Sequence, residues 1–399
     1  RTDAFEEHYE NIVQSETISS ALISEQDEAE VIEYGEETLY YSPIQYGRRV
    51  SVPESSLWRL GGGSLEVQDD EERVYSENTG VTGSQASIES FDEETQGIYA
   101  AGSYSEDSKW GIYLQAPDVY FRLMSRNQDQ FMPLVEATEE VYRGITSGAN
   151  DFYFPENEKI SEYNIDDQYL YPLVKSPRNL NERIFSSGDL DRKLLKINDP
   201  NKDSLSKGVR EFIEWGESQG YPSRRTIKGR DPWYDIGSDI KQTQIIWQRT
   251  HYTKHAVYYA DEPVYTTDRF YGINLDGDLY NPKVFAGLLN STFYALVKVL
   301  YSSEMSGRSI DTAVYELESF PVPTSDAISD DAKEALIEAF EELDQHEPEA
   351  VYDEFDLEAR SKLDEVVFDI LDANEEEREE VYQSVERLIK QIRNRDRQR

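Results

Sequence analysis

A chain with a formal charge of −41 folds only if its carboxylates spread over a surface that water and counter-ions keep apart, and that requirement shapes the rest of this sequence. It carries 81 Asp and Glu against 40 Lys and Arg in 399 residues. An acidic disordered chain lacks aromatics, whereas this one is 12% aromatic, with 28 Tyr to build a core where aliphatic residues are scarce. A partner-binding tail would hold its acids in one block, but here they run almost end to end. The remaining reading is adaptation to molar salt, where a dense carboxylate surface stays hydrated while screening limits self-repulsion. In such a protein a nucleic-acid binder need not look basic overall.

The chain has no Cys. That excludes disulfides, thiolate metal sites and Cys nucleophiles, and fits a cytoplasmic location. No apolar run approaches the roughly 18 residues that span a bilayer. The opening Arg1-Thr2-Asp3-Ala4-Phe5 has neither a signal-peptide core nor an initiator Met, so the chain reads as starting inside a longer parent.

Three regions differ in texture. Residues 1–108 are acidic and turn-rich, with short alternating stretches at Thr38–Tyr41 and Arg49–Val52 and loops at Gly61–Ser64 and Gly80–Gly97. Residues 109–280 begin with an amphipathic segment, Trp110 to Met124, broken by Pro117. They continue, from 131, rich in Tyr, Ile, Val and Thr with frequent Gly and Pro, which predicts many short strands. Residues 281–399 are helical. Phe285, Leu288, Leu289, Phe293, Leu296 and Leu300 recur at three- and four-residue steps, predicting one buried helix of about five turns. Phe320-Pro321-Val322-Pro323 then breaks the chain. Helices are expected near 326–343, 356–371 and 375–395, the last capped by Asn374 and opening on Glu375–Glu377 against the helix dipole. The fold class is therefore α+β.

Local charge is the most informative feature. Between Tyr171 and Lys254 stand 16 Lys and Arg against 11 Asp and Glu, a balance of +5 against −46 for the rest of the chain. Neutralising phosphate is the obvious reason for such a reversal; the bland alternative is a strip facing another acidic domain of the same parent. Lys175, Arg178, Arg224, Arg225, Lys228, Arg230, Arg249 and Lys254 are the candidate DNA contacts, with Arg308 after Ser306-Gly307 as an outlying one. Trp233, Tyr234 and Gln244 interleave with them. Arg and Gln make bidentate contacts to guanine and adenine edges, and rings stack on an unstacked base.

Catalytic chemistry is present only in pieces. His251 and His255 are four apart, as in a helical metal pair, but no HExxH surrounds them and their neighbours point to a strand. Gly61-Gly62-Gly63 lacks the Lys-Ser/Thr of a phosphate loop, and Gly144 to Gly148 lacks dinucleotide-site spacing. Asp189, Asp191 and Lys193 match a nuclease cluster only loosely. Asp231-Pro232-Trp233-Tyr234 resembles the Asp/Asn-Pro-Pro-aromatic tetrapeptide with which amino-methyltransferases hold a target adenine, but Trp233 replaces the second Pro. No catalytic, cofactor or metal residue is assigned.

Several segments in order carry a family resemblance: Ala116-Pro117-Asp118-Val119-Tyr120, Phe131 to Leu134, Val141 to Phe154, Arg230 to Tyr234, Leu288 to Ser291, Phe320 to Pro323, and Arg360 to Asp364. Together they resemble the C-terminal half of Eco57I/TaqI-like adenine-N6 DNA methyltransferases of restriction-modification and phage-defence systems. The resemblance implies a strand-rich target-recognition domain over 109–280, a helical brace over 281–399, and the tail of a class I methyltransferase domain before them. It implies double-stranded DNA and a methyltransferase catalytic domain as partners, with S-adenosylmethionine bound by that missing half and none by this chain. Gly144, Thr146, Gly148 and Asn150, in the most specific segment, are then turn residues or DNA contacts. Two other readings stay open: an adaptor subunit acting mainly through protein partners, and a complete enzyme with a divergent site.

Overall fold

The computed structural model describes the strands within residues 30–51, Ile112, and residues 115–277, 280–305 and 309–394. Two compact units are separated between Ala116 and Pro117. In the first, β1 (Glu30–Tyr34), β2 (Glu37–Ile44) and β3 (Gly47–Ser51) form an antiparallel sheet. The alternating stretch Thr38–Tyr41 falls on β2 and Arg49–Ser51 of the second on β3, while Val52 and the glycine loops expected at 61–64 and 80–97 lie outside the described residues.

The second unit opens with α1 (Asp118–Arg126), which starts directly after Pro117 and buries Val119, Tyr120, Phe121, Leu123 and Met124. Arg122 and Arg126, on its other side, pair with Glu380 and Glu377. After β4 (Phe131–Pro133) and β5 (Thr138–Arg143) come α2 (Asn150–Tyr153), α3 (Asn157–Tyr163), β6 (Leu170–Val174), β7 (Ile184–Phe185) and β8 (Lys193–Leu195). Next are α4 (Lys207–Ser218), β9 (Thr243–Gln248), β10 (Thr250–His251), β11 (Val257–Thr266) and β12 (Phe270–Leu275).

Seven of these strands make one mixed sheet in the order β5-β12-β9-β11-β6-β8, with β7 also on β11. β6 and β7 run parallel to β11, and the other neighbours are antiparallel. At its centre, Ile245, Ile246 and Trp247 of β9 are almost wholly buried, as expected of a strand covered on both faces.

The twelve-residue helix α4 lies in a region whose composition predicts short strands. Its signal is nevertheless in the sequence: Val209, Phe212, Ile213 and Gly216 follow a helical spacing and are its buried face. Phe212 stacks on Phe152 at 5.1 Å between ring centres, and Trp233 lies 4.6 Å from the same ring. This aromatic core, with Tyr153, Tyr221 and Tyr234, is separate from the core formed by Ile246, Val264 and Phe270 in the sheet.

The helical region is built from α5 (Pro282–Leu289), α6 (Thr292–Tyr301), β13 (Ser303–Met305), β14 (Ser309–Asp311), α7 (Val314–Glu318), β15 (Pro321–Pro323), α8 (Asp330–Asp344), α9 (Glu358–Ile370) and α10 (Glu375–Asn394). The single five-turn helix expected over the Phe285–Leu300 stripe is instead two helices, α5 and α6, bent by 74° at Asn290-Ser291. The cause is local. Buried Asn290 turns its amide onto the β11 backbone, donating to Val257 O at 2.7 Å and accepting from Val257 N–H at 3.0 Å. Ser291 and Asp364 then take the N–H groups of Tyr294 and Thr292 that open α6. The three later helices fall where expected, and Asn374 and Glu377 cap α10 reciprocally.

The boundary expected at 280/281 is bridged within this unit. β10 pairs with β14, and β4 with β15. A buried charge network reinforces the junction: Glu354 binds Arg183 Nη2 at 2.6 Å through one oxygen and Arg360 through the other. Arg183 also donates to His346 O at 2.9 Å, and Arg360 to Asn290 O. All three side chains are at most 1% exposed.

Candidate nucleic-acid interface

Three turns far apart in sequence meet beyond the end of β5. The first, residues 144–150, leaves the strand; the second is the loop 221–230 after α4; the third is the turn Thr267–Arg269 between β11 and β12. Ile145 bridges Thr267, donates its N–H to Thr266 O at 2.8 Å and accepts from Asp268 N–H at 3.1 Å. Lys175 joins them because its carbonyl accepts Thr267 Oγ1 at 2.9 Å. Gly144 is packed so closely on Thr267 and Thr266 that a Cβ there would collide with their oxygens.

Arginines fasten the first turn to the second. Arg224 Nη1 donates to Gly148 O at 2.9 Å, and Arg230 donates to Ser147 O at 2.9 Å and Thr146 O at 3.3 Å. Arg224 lies 4.3 Å over the Tyr221 ring and Arg230 5.1 Å over that of Tyr153. Burial pushes the Tyr153 hydroxyl above its ordinary pKa, with Arg230 pulling the other way. Gly148 has φ +78° and sits against Thr226 with no room for a Cβ. Gly148→Ala is therefore expected to cost about 1–3 kcal/mol, from the left-handed backbone and the collision together. Urea denaturation would measure it, and a destabilisation under about 0.5 kcal/mol would mean that the loops are not held this way.

What the surface offers outward is a set of free cations around a few polar groups. Arg225, Lys228 and Arg269 are exposed, and their side chains have no ion pair among the described residues. Arg143 is half exposed and reaches Asp268 at 3.4 Å. Thr146 and Asn150 are exposed at the crest of the first turn.

The family model of the C-terminal domain of the type II methyltransferase M.Eco57I matches residues 107–358. The chain belongs to that family. It is also similar to the type II methyltransferase M.AccI of Acinetobacter calcoaceticus, 28% identical over 151 residues, which cover 36% of this chain and 26% of M.AccI. Its fold resembles that of the type IIG restriction endonuclease BpuSI, with a TM-score of 0.54 and 16% identity over 74% of this chain and 35% of the other. The chain thus spans about a quarter to a third of these relatives.

In this member of the M.Eco57I C-terminal domain family, the candidate contacts divide by position. Arg224, Arg225, Lys228, Arg230, Thr146, Gly148, Asn150 and Lys175 come together, and Arg178 follows in the exposed turn after β6. Others are engaged elsewhere. Arg249 donates its N–H to Arg269 O, but its guanidinium is committed to Asp311 at 3.0 Å, a hydrogen bond that holds its pKa above the ordinary value. Gln244 is tied to the carbonyls of Ala260 and Asp261, where it closes the bulge in β11. Lys254 is exposed on the side of the helical region, bridged to Ala350. Arg308 lies outside the described residues.

Tyr234 is buried in the aromatic core, and Trp233, partly buried, packs against it. Tyr234 is 4% exposed with its hydroxyl on Pro200 O at 3.0 Å, and burial pushes its pKa up. The Trp233 ring packs on Phe152 and against Gly216, and its carbonyl already accepts Tyr153 OH. The Trp233 carbonyl of the tetrapeptide is therefore already engaged. His251 and His255 are buried beside Trp247 and Lys298, where burial, with Lys298 adding to it, holds their pKa well below the ordinary value.

Arg143, Asp268 and Arg269 are missed by the charge reading. Arg143 stands inside the segment that carries the resemblance but outside the positive window, and Asp268 and Arg269 follow that window. The pairing of β5 with β12 and the bridge between Ile145 and Thr267 bring them to this surface.

Proposed function

We propose that this chain is the DNA target-recognition part of a site-specific adenine-N6 methyltransferase of a restriction-modification or phage-defence system. A catalytic half outside the described residues binds S-adenosylmethionine, extrudes the adenine and transfers the methyl group. The observation that supports this reading is the meeting of the turns that carry Lys175, Arg143, Arg225, Lys228 and Arg269 in a chain whose net charge is −41. A cluster of largely unpaired cations costs self-repulsion and offers the fold nothing in return, whereas phosphates neutralise it. The acidic remainder suits a cytoplasm of high salt, in which only a concentrated cationic face attracts DNA.

The test is a salt titration of duplex binding, read by fluorescence anisotropy. Arg225→Ala with Lys228→Ala is expected to weaken binding at every sequence and to reduce the slope of log K against log salt by about 2, roughly 0.9 for each phosphate no longer neutralised. A slope equal to the parent's would remove these loops from the DNA interface.

A further inference from the structure

The two arginines nearest the Thr146–Asn150 turn direct N–H donors to its backbone carbonyls. We infer that Arg224 and Arg230 are positioning residues, and that Thr146, Asn150 and Asp268 on the turns they steady are the groups that discriminate between base pairs. This rests on the reading of the surface as a DNA interface.

The geometry separates the roles. Arg230 and Arg224 take three successive carbonyls, those of Thr146, Ser147 and Gly148, and each guanidinium is backed by a tyrosine ring. The turn is further locked by Ser147, whose hydroxyl donates to Asn150 Oδ1 and accepts from Ala149 N–H at 3.2 Å. A turn held in this way loses little freedom on binding, which favours readout over non-specific attraction.

Asp268 is the informative member. It is a carboxylate amid cations, where it opposes phosphate, and among the described residues its side chain makes only long contacts, to Thr146 Oγ1 at 3.3 Å and Arg143 at 3.4 Å. Those contacts leave its lone pairs available to a better donor. Asp accepts from the cytosine amino group in the major groove, Asn pairs with adenine N6 and N7, and Thr contacts either a polar edge or the thymine methyl. A contact to a base amino group, cytosine N4 being the usual partner of an acid, explains a carboxylate at this place, because it repels phosphate and the acceptor edges of guanine and thymine.

The experiment is selection of duplexes from a randomised library by the full chain, followed by sequencing and by affinity measurements on selected and unselected duplexes. Asp268→Asn is expected to abolish a cytosine preference at one position, lowering discrimination there by about 10–100-fold, while overall affinity stays level or rises as a negative charge is removed. Asn150→Ala is expected to relax a second position with the salt slope unchanged. Arg230→Ala is expected to blur both positions, and a purely structural role would lower affinity without altering which bases are preferred. Selected sequences identical for the parent chain, Asp268→Asn and Asn150→Ala would overturn the inference, as would tight binding without any preferred sequence. Absence of duplex binding by the parent chain is a different result: it overturns the DNA interface itself.

Discussion

Glu354→Ala is expected to destabilise the Pro117–Arg399 unit by about 3–5 kcal/mol, the cost of stranding buried charge. The Glu354 carboxylate is the shared counter-ion of Arg183 and Arg360, and all three groups are shut off from water. Burial alone would raise the Glu354 pKa, but the two guanidiniums outweigh it and hold the carboxyl below its ordinary range. Removing it leaves two guanidiniums facing one another with only carbonyl partners, at Leu343, His346 and Asn290. Glu354→Gln keeps the shape and most hydrogen bonds yet removes the charge, so it should still cost more than half as much. Chemical denaturation of both variants measures this. A destabilisation below about 1 kcal/mol for Glu354→Ala would show that water reaches the network. Because Arg183 precedes β7 and Arg360 lies in α9, the same substitution should loosen the brace from the sheet.

Stability is expected to climb as pH rises from about 7 towards 10, and Lys298 is the reason. Its ammonium is buried with one carbonyl partner, Lys254 O at 3.0 Å. Burial lowers its pKa to about 7, with Glu354 pulling up and Arg360 down. In the unfolded chain the amine stays protonated until about pH 10. Between these values the unfolded chain binds one more proton, so raising the pH favours the fold by about 1 kcal/mol per unit, on the order of 3–4 kcal/mol across the window. Below pH 6.5 the sign is the same, since His251 and His255 resist protonation while their unfolded counterparts accept it. Above pH 10 the slope reverses, because burial pushes Tyr258 and Tyr280 up to about 12 and unfolded tyrosines ionise first. Urea denaturation of Lys298→Met between pH 7 and 10, at constant salt, should show a flat profile. A profile parallel to the parent's would assign the slope to other groups.

The helices of the brace are legible in the sequence because their signals are local. Asn374 with Glu377, and the apolar spacing of α8 to α10, need no distant partner. The break in the Phe285–Leu300 stripe is not legible, since its cause is the Asn290 amide bonding to Val257 across 33 residues. Periodicity reports which face is buried, and both halves of a bent pair bury the same kind of face. The helix α4 has a legible period, but the strand-forming composition around it masks the signal.

The sequence alone determined that the chain is an acidic α+β protein with a positive middle, because net charge and apolar period are properties of order and composition. It also contained the segments that place it in the M.Eco57I C-terminal domain family. Which of its cations are free was decided only in three dimensions. Arg224, Arg230 and Arg249 look the same as Arg225 and Lys228 in a charge count, yet the first three are bound to carbonyls or to Asp311. Tyr234 is likewise buried, and Trp233 packed against the same core, only because α2 and α4 come to meet them. A guanidinium's role depends on the acceptor it finds, and that acceptor lies up to 84 residues away for Arg230, beyond the reach of any local rule.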